Sequence, residues 1–193
     1  MDEQLTSFWE PCWACRVMSG ETFGCVVSES RDVLVLLNPF PLSPGHALVV
    51  PRRHVRDLYE LPDALAGPVL SAAARVARAL KRAFGADGVT LRQNNGAASD
   101  QHLFHFHLHV IPRFKGDLER FNSEPPHASR DLQEQAAKRL RTALAEEAGE
   151  ILRETQADTT LSARVRRTAQ TLARMISTRQ PAGTRSAPKL STR

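Results

Sequence analysis

Cysteine is scarce in this 193-residue chain: there are three, two of them spaced as Cys12-Trp13-Ala14-Cys15. Three thiols cannot build the crosslinked scaffold by which small secreted domains dispense with a large core. In a chain with no export signal, the Cys-x-x-Cys spacing favours metal or redox chemistry over a structural crosslink. Long apolar runs are also missing, and Val33–Leu37 falls far short of the about 20 residues that cross a bilayer. The opening Met1-Asp2-Glu3-Gln4 is acidic and lacks the basic-then-apolar order of a signal peptide. A cytoplasmic protein without a membrane partner is therefore expected. Most of the chain lacks positive charge too. The net charge is +5, but from Gln156 to Arg193 seven Arg and one Lys stand against one Asp, a local +7, leaving about −2 for residues 1–155. The pI of 9.6 thus belongs to the tail and is no argument for a cationic main domain. The tail in turn has no aromatic residue, which argues against selective single-strand recognition by base stacking. Its arginines either meet a polyphosphate, RNA or DNA by counterion release or are simply solvated.

What is present suits a soluble globular protein, with 41% apolar and 24% charged residues, and enough length for one domain and an appendage. Residues 24–28, 33–38, 46–51, 89–93 and 102–111 read as strands. The breaker-rich Asn38-Pro39-Phe40-Pro41-Leu42-Ser43-Pro44-Gly45 and the stretch Asn94–Asp100 read as loops. A helix is expected over 63–84, with Asp63 as its N-cap, Pro68 in its first turn and Gly85 ending it. Its apolar stripe is Val69, Leu70, Val76 and Leu80. This order of elements predicts an α+β domain, a five-stranded antiparallel sheet with a packed helix. After Pro125-Pro126 the composition turns helical over 130–155. Leu161, Val165, Ala169, Leu172 and Ile176 then mark a second amphipathic helix that packs on the domain or on a partner helix. From Pro181 the composition predicts disorder. The expected organisation is a catalytic domain over 1–126, a helical extension over 127–180 and a disordered basic tail over 181–193.

Four of the seven histidines fall within eight residues, and His105, His107 and His109 alternate with Phe106 and Leu108. Strand periodicity would set the three imidazoles on one face about 7 Å apart, with Phe104, Phe106, Leu108 and Val110 facing the core. A row of groups titrating near neutrality serves metal binding or proton and phosphoryl chemistry. The bland readings are an incidental polar face, or a metal site using all three. Cys25 reads as a small core residue, and Arg52, Arg53 and Arg113 as solvated.

Asn94-Asn95-Gly96, Gln101 and His105-Phe-His107-Leu-His109-Val-Ile-Pro112 together resemble the signature of the histidine triad family. The resemblance extends to Asn38-Pro39 and Pro44-Gly45-His46-Ala-Leu-Val-Val-Pro51-Arg-Arg-His54, covers roughly residues 8 to 115, and looks most like bacterial members and diadenosine polyphosphate hydrolases. It implies a nucleotidyl hydrolase or transferase acting on a purine nucleoside phosphate anhydride or phosphoramidate, as a homodimer. His107 would attack the α-phosphorus, and water would then cleave the nucleotidyl-histidine. His105 and His109 would orient His107 or contact phosphate oxygens, with His46 behind them. Asn38 would bind the ribose, and Asn94 and Gln101 the phosphates and leaving group. Where the family often has Gly-Gln-Ser or Gly-Gln-Thr, this chain has Asp100-Gln101-His102, so His102 is either a phosphate contact or an exposed edge residue. By the same resemblance, Cys12, Cys15, His54 and His105 would bind structural Zn²⁺, with no organic cofactor. Two other function classes fit the sequence: a nucleotide-binding regulatory module with incidental hydrolysis, and a nucleic-acid-directed deadenylase using the basic tail.

Overall fold

A computed structural model describes residues 11–117 and 126–177, for most of 151–177 as backbone only. The expected disordered segment 181–193 and the side chains of the Leu161–Ile176 stripe lie outside the described residues. Strands β1 (Val26–Glu29), β2 (Val33–Leu37), β3 (Ala47–Pro51), β4 (Gly88–Arg92) and β5 (Leu108–Arg113) form one antiparallel sheet in the order β1-β2-β3-β5-β4. This is the expected α+β architecture. Strands β2 and β3 are buried at every position because both faces of the sheet are covered. On one face Val35, Leu37, Ala47, Val49 and Val110 pack with helix α2 (Asp63–Phe84) and the start of helix α3 (Arg130–Ser177). On the other, Leu34, Leu36, Leu48 and Val50 pack with Trp13 and Ala14 of the short helix α1 (Trp13–Ser19).

Helix α2 has the expected bounds, and its chain turns out through Gly85 in the left-handed region (φ 67°). Three details of it differ from expectation. Pro62 occupies the N-cap position in extended backbone, so Asp63 is the first helical residue and complements the dipole rather than capping it. Pro68 sits beyond the first turn. Leu70 faces solvent, and Ala72, Ala73 and Ala79 join Val69, Val76 and Leu80 in the core instead. The small alanines let the helix lie close to the sheet.

The β2–β3 connection contains a position that strongly favours glycine. Gly45 has φ +90°, and a Cβ there would meet Phe84 Cε2 at 2.7 Å and Leu80 Cδ2 at 2.9 Å. The loop thus rests on the end of α2, which sets where His46 enters β3.

The sequence pointed to two helices after residue 130, but the structure has one, because no proline interrupts 130–177 and a lone Gly149 does not break a helix. By its contacts the chain divides into units 1–148 and 149–193. The first turns of α3 belong to the first unit because Ala137, Leu140 and Ala143 are core residues. Arg141 Nε donates to the Val26 carbonyl (3.1 Å), and Arg78 pairs with the buried Glu147. Among the described residues no helix is long and apolar enough to cross a membrane.

Candidate active site and metal centre

Strand β5 begins at Leu108, not at His102, so only His109 of the three alternating histidines lies in the sheet. The chain bends through Leu103–His105, and Phe106 enters the helix-side core with its N–H on the Val55 carbonyl (2.5 Å). Phe104 is only half-buried, beneath the Arg56 guanidinium. The even row of imidazoles about 7 Å apart is replaced by two separate groups.

The first group is His46, His109 and His107. His109 pairs in register with Leu48 of β3, and Leu48 packs on the α1 side; His46, two residues before Leu48, emerges on the same face. Rings of His46 and His109 are 5.1 Å apart, and those of His109 and His107 4.8 Å apart and nearly perpendicular. Their protons follow from their partners. Leu42 N–H donates to His46 Nδ1 (3.1 Å), so His46 carries its proton on Nε2. That Nε2–H lies 2.9 Å from His109 Nδ1, which must accept it, leaving His109 with a donor at Nε2. His107 Nδ1 lies 2.7 Å from the His105 carbonyl, which can only accept. Nδ1 therefore holds the proton and Nε2 keeps a lone pair. Burial holds all three rings below the ordinary imidazole range, His46 at about 3, so they are neutral near pH 7. His105 opposes the shift of His107 through its carbonyl; His102 and Arg92 reinforce it.

The second group is Cys12, Cys15, His54 and His105, whose ligand atoms all lie within 4.8 Å of one another. His105 Nδ1 is 3.3 Å from Cys12 Sγ and 3.6 Å from Cys15 Sγ, and His54 Nδ1 is 3.3 Å from Cys15 Sγ. Tetrahedral bonds of about 2.3 Å to sulfur and about 2.0 Å to nitrogen put such atoms about 3.5 Å apart. His105 Nε2 donates to the Pro51 carbonyl at 2.9 Å, which turns the Nδ1 lone pair toward the thiols, as an oriented metal ligand requires. Burial and the adjacent Cys12 push the Cys15 thiol up to about 11, a cost that a cation between the sulfurs would relieve. These four residues could hold a metal ion.

The polar positions around the histidines are already engaged. Asn38 Oδ1 accepts from Phe40 N–H (3.0 Å), and its amide nitrogen lies 3.4 Å from both ring nitrogens of His46. Asn94 donates to the Asp100 carbonyl (3.1 Å) and accepts from Arg92 Nε (3.1 Å). Gln101, 2% exposed, accepts from Gly96 N–H and donates to the carbonyls of Arg56 and Leu103. Asn94 and Gln101 thus brace the 94–101 loop. His102 Nε2 lies 2.8 Å from Asp100 Oδ1. A cavity of about 470 Å³ opens where Asn38, Ser43 and His46 face Leu132 and Gln133 of α3.

Sequence reasoning missed helix α1, Arg92 and Asp100. The adjacency of Arg92 to Asn94, and an aspartate where a left-handed residue is needed, were the available signals for the last two.

A HIT domain model matches residues 19–116, about half of the chain. Protein hit of Bacillus subtilis (strain 168) is 37% identical over 109 residues, 56% of this chain and 75% of that protein. Adenylylsulfatase HINT3 of Arabidopsis thaliana is 36% identical over 106 residues, 55% of this chain and 54% of that protein. A zinc-bound histidine triad family protein from Mycobacterium smegmatis superposes with a TM-score of 0.64 and 31% identity, over 72% of this chain and 97% of that one. The matched span encloses the whole His46–His109–His107 group and the sheet that carries it, and the chain belongs to the HIT domain family.

Proposed function

We propose that this protein is a nucleotidyl hydrolase or transferase that cleaves a nucleoside phosphate anhydride or phosphoramidate through a covalent intermediate on His107. The observation that carries this reading is the 2.7 Å contact of His107 Nδ1 with the His105 carbonyl, which leaves Nε2 as a fixed lone pair on a neutral ring. Nε2 attacks the α-phosphorus, an N–P bond forms, and the bond to the leaving group breaks with its electron pair. Water then attacks the same phosphorus, and the pair of the N–P bond returns to Nε2. His109, donating from Nε2, stabilises the charge that builds on the phosphate oxygens, while His46 fixes the His109 tautomer. Asn38 meets the ribose. Asn94 and Gln101 hold the loop that borders the phosphates, and His102 stands on the leaving-group side.

All of these residues fall within the first unit, 1–148, which is the catalytic part on this reading. The substrate is a purine nucleotide, and the assembly is a homodimer. Zinc at Cys12, Cys15, His54 and His105 is structural: it ties α1 to the sheet and supplies no step of the reaction. The likeness to an adenylylsulfatase supports an adenylyl substrate.

Incubation with diadenosine polyphosphates and adenosine 5′-phosphoramidate tests the reading. Turnover by the wild type, its loss in His107→Ala, and a nucleotidyl adduct on the His107 peptide by mass spectrometry are the expected results. An inert wild type, or a fully active His107→Ala, overturns it.

A further inference from the structure

Arg92, the last residue of β4, pairs in register with His109, so the two side chains leave the sheet on one face. The Arg92 guanidinium donates to Asp100 Oδ2 (2.9 Å), and the other oxygen of that carboxylate accepts from His102 Nε2 (2.8 Å). Asp100 is the only non-glycine residue at positive φ (65°) among the described residues. Such a conformation costs on the order of 1 kcal/mol or more for a residue bearing a Cβ, and glycine would avoid that cost. A strained aspartate that clamps an arginine on one side and a histidine on the other is an arrangement with a direction. An ionised carboxylate only accepts, so His102 holds a proton on Nε2 and presents Nδ1 away from Asp100. No partner engages that Nδ1 among the described residues, and the His102 side chain is 29% exposed. The electrostatic reach of both His102 and Arg92 extends to His107. Imidazole is the side chain able both to give and to take a proton near neutrality, and the contact with Asp100 fixes which nitrogen faces outward.

Resting on the nucleotidyl-transfer reading above, we infer that His102 is the proton donor to the leaving group, positioned by Asp100 and Arg92, and that the enzyme is thereby built for leaving groups that must be protonated to depart, such as the amine of a phosphoramidate. The first step starts from the His102 imidazolium, with Nε2–H on Asp100 and a second proton on Nδ1. His107 Nε2 bonds to phosphorus, the P–N bond to the amine breaks with its electron pair on nitrogen, and that nitrogen takes the Nδ1 proton, leaving His102 neutral. In the second, water attacks phosphorus and gives its proton to His102 Nδ1, and the electron pair of the His107 N–P bond returns to the ring. The net change is substrate plus water to nucleotide plus amine, with His102 restored. Asp100 and Arg92 act through His102 as positioning residues.

The test compares kcat/KM for adenosine 5′-phosphoramidate with that for adenylyl sulfate, whose sulfate leaves as a stable anion without a proton. Loss of a general acid costs about 10²–10⁴-fold where the proton is needed. His102→Gln is expected to lower the phosphoramidate value at least about 100-fold and the sulfate value by less than about 5-fold. Asp100→Asn, which keeps an acceptor oxygen and a side chain that tolerates the left-handed region, is expected to shift the same ratio in the same direction by a smaller factor. Equal loss on both substrates, or no change in the ratio for either variant, overturns the inference while leaving the His107 reading in place. A wild type inert toward both substrates overturns the parent reading and this one with it.

Discussion

Acid is expected to weaken this fold in a way that can be traced to one imidazole. His46 is 2% exposed, and burial, with His107 and Arg92 adding to it, pushes its pKa from 6.5 down to about 3. The unfolded chain therefore takes up a proton near pH 6.5 that the folded chain refuses until about pH 3. Because the unfolded state binds more protons between these limits, stability rises with pH across the window and falls on acidification. The contribution of His46 is complete above pH 6.5 and is lost progressively as the pH drops toward about 3. One proton is worth about 1.4 kcal/mol per pH unit once the unfolded form is protonated, so acidification from pH 7 to pH 5 costs about 2 kcal/mol through His46 alone. Burial shifts His109 and His107 in the same direction, which deepens the loss. Urea unfolding of the wild type and of His46→Gln at pH 7, 6 and 5 isolates the effect. Glutamine retains an acceptor for the Leu42 N–H but takes up no proton. The variant starts less stable at pH 7 but loses about 2 kcal/mol less than the wild type by pH 5. Acid release of a metal from the cysteine–histidine group affects both proteins alike and cancels in the comparison. Parallel stability profiles for the two proteins would refute the reasoning.

Two further outcomes follow from the geometry. Gly45→Ala combines left-handed strain of about 1–2 kcal/mol with overpacking of about 1–3 kcal/mol against Phe84 and Leu80, so a loss of about 3 kcal/mol is expected in urea melts. A change below about 0.5 kcal/mol, the scatter of ordinary surface substitutions, would contradict the contact. Cys15→Ser removes the sulfur that lies near both imidazoles of the metal centre. Elemental analysis of the purified protein is expected to show about one zinc per wild-type chain and a large deficit in the variant; equal content would remove Cys15 from the ligand set.

The sheet, α2 and the histidine cluster were legible because each rests on a local pattern. Short apolar runs bounded by turn-forming residues marked β1 to β4 to within two residues, and a stripe ended by glycine marked α2. Helix α1 left no such mark. It has seven residues and no side-chain cap, and it is held by burial of Trp13 and Ala14 against the sheet and by the neighbouring Cys12 and Cys15, all contacts distant in sequence. The start of β5 was misplaced for a related reason: alternation continues on both sides of the bend at 103–105, so the residues read as extended although the pairing with β3 begins only at Leu108. Tautomers were out of reach as well, since each depends on a partner from another part of the chain, Leu42 for His46 and His46 for His109. The joining of Arg92, Asp100 and His102 depends on the pairing of β4 with β5 and on the fold of the loop between them.

Departure from a regular strand is what lets one residue serve two centres. In an unbroken strand, His105 would place its ring beside that of His107 and commit its carbonyl to a neighbouring strand. With the chain bent, its ring turns to the cysteines, its Nε2 to the Pro51 carbonyl, and its own carbonyl is released to receive His107 Nδ1–H. The same backbone unit therefore orients His107, the nucleophile of the proposed reaction, and joins the group of cysteines and histidines that could hold a metal ion. A ligand set that holds His105 in place also holds the carbonyl that determines which nitrogen of His107 is free. On the proposed reading, a metal held there would have a physical route to the reaction without taking part in it. The residue before Phe106 uses both ring nitrogens: a side chain of similar size without two of them could reach the cysteines or the Pro51 carbonyl, but not both at once.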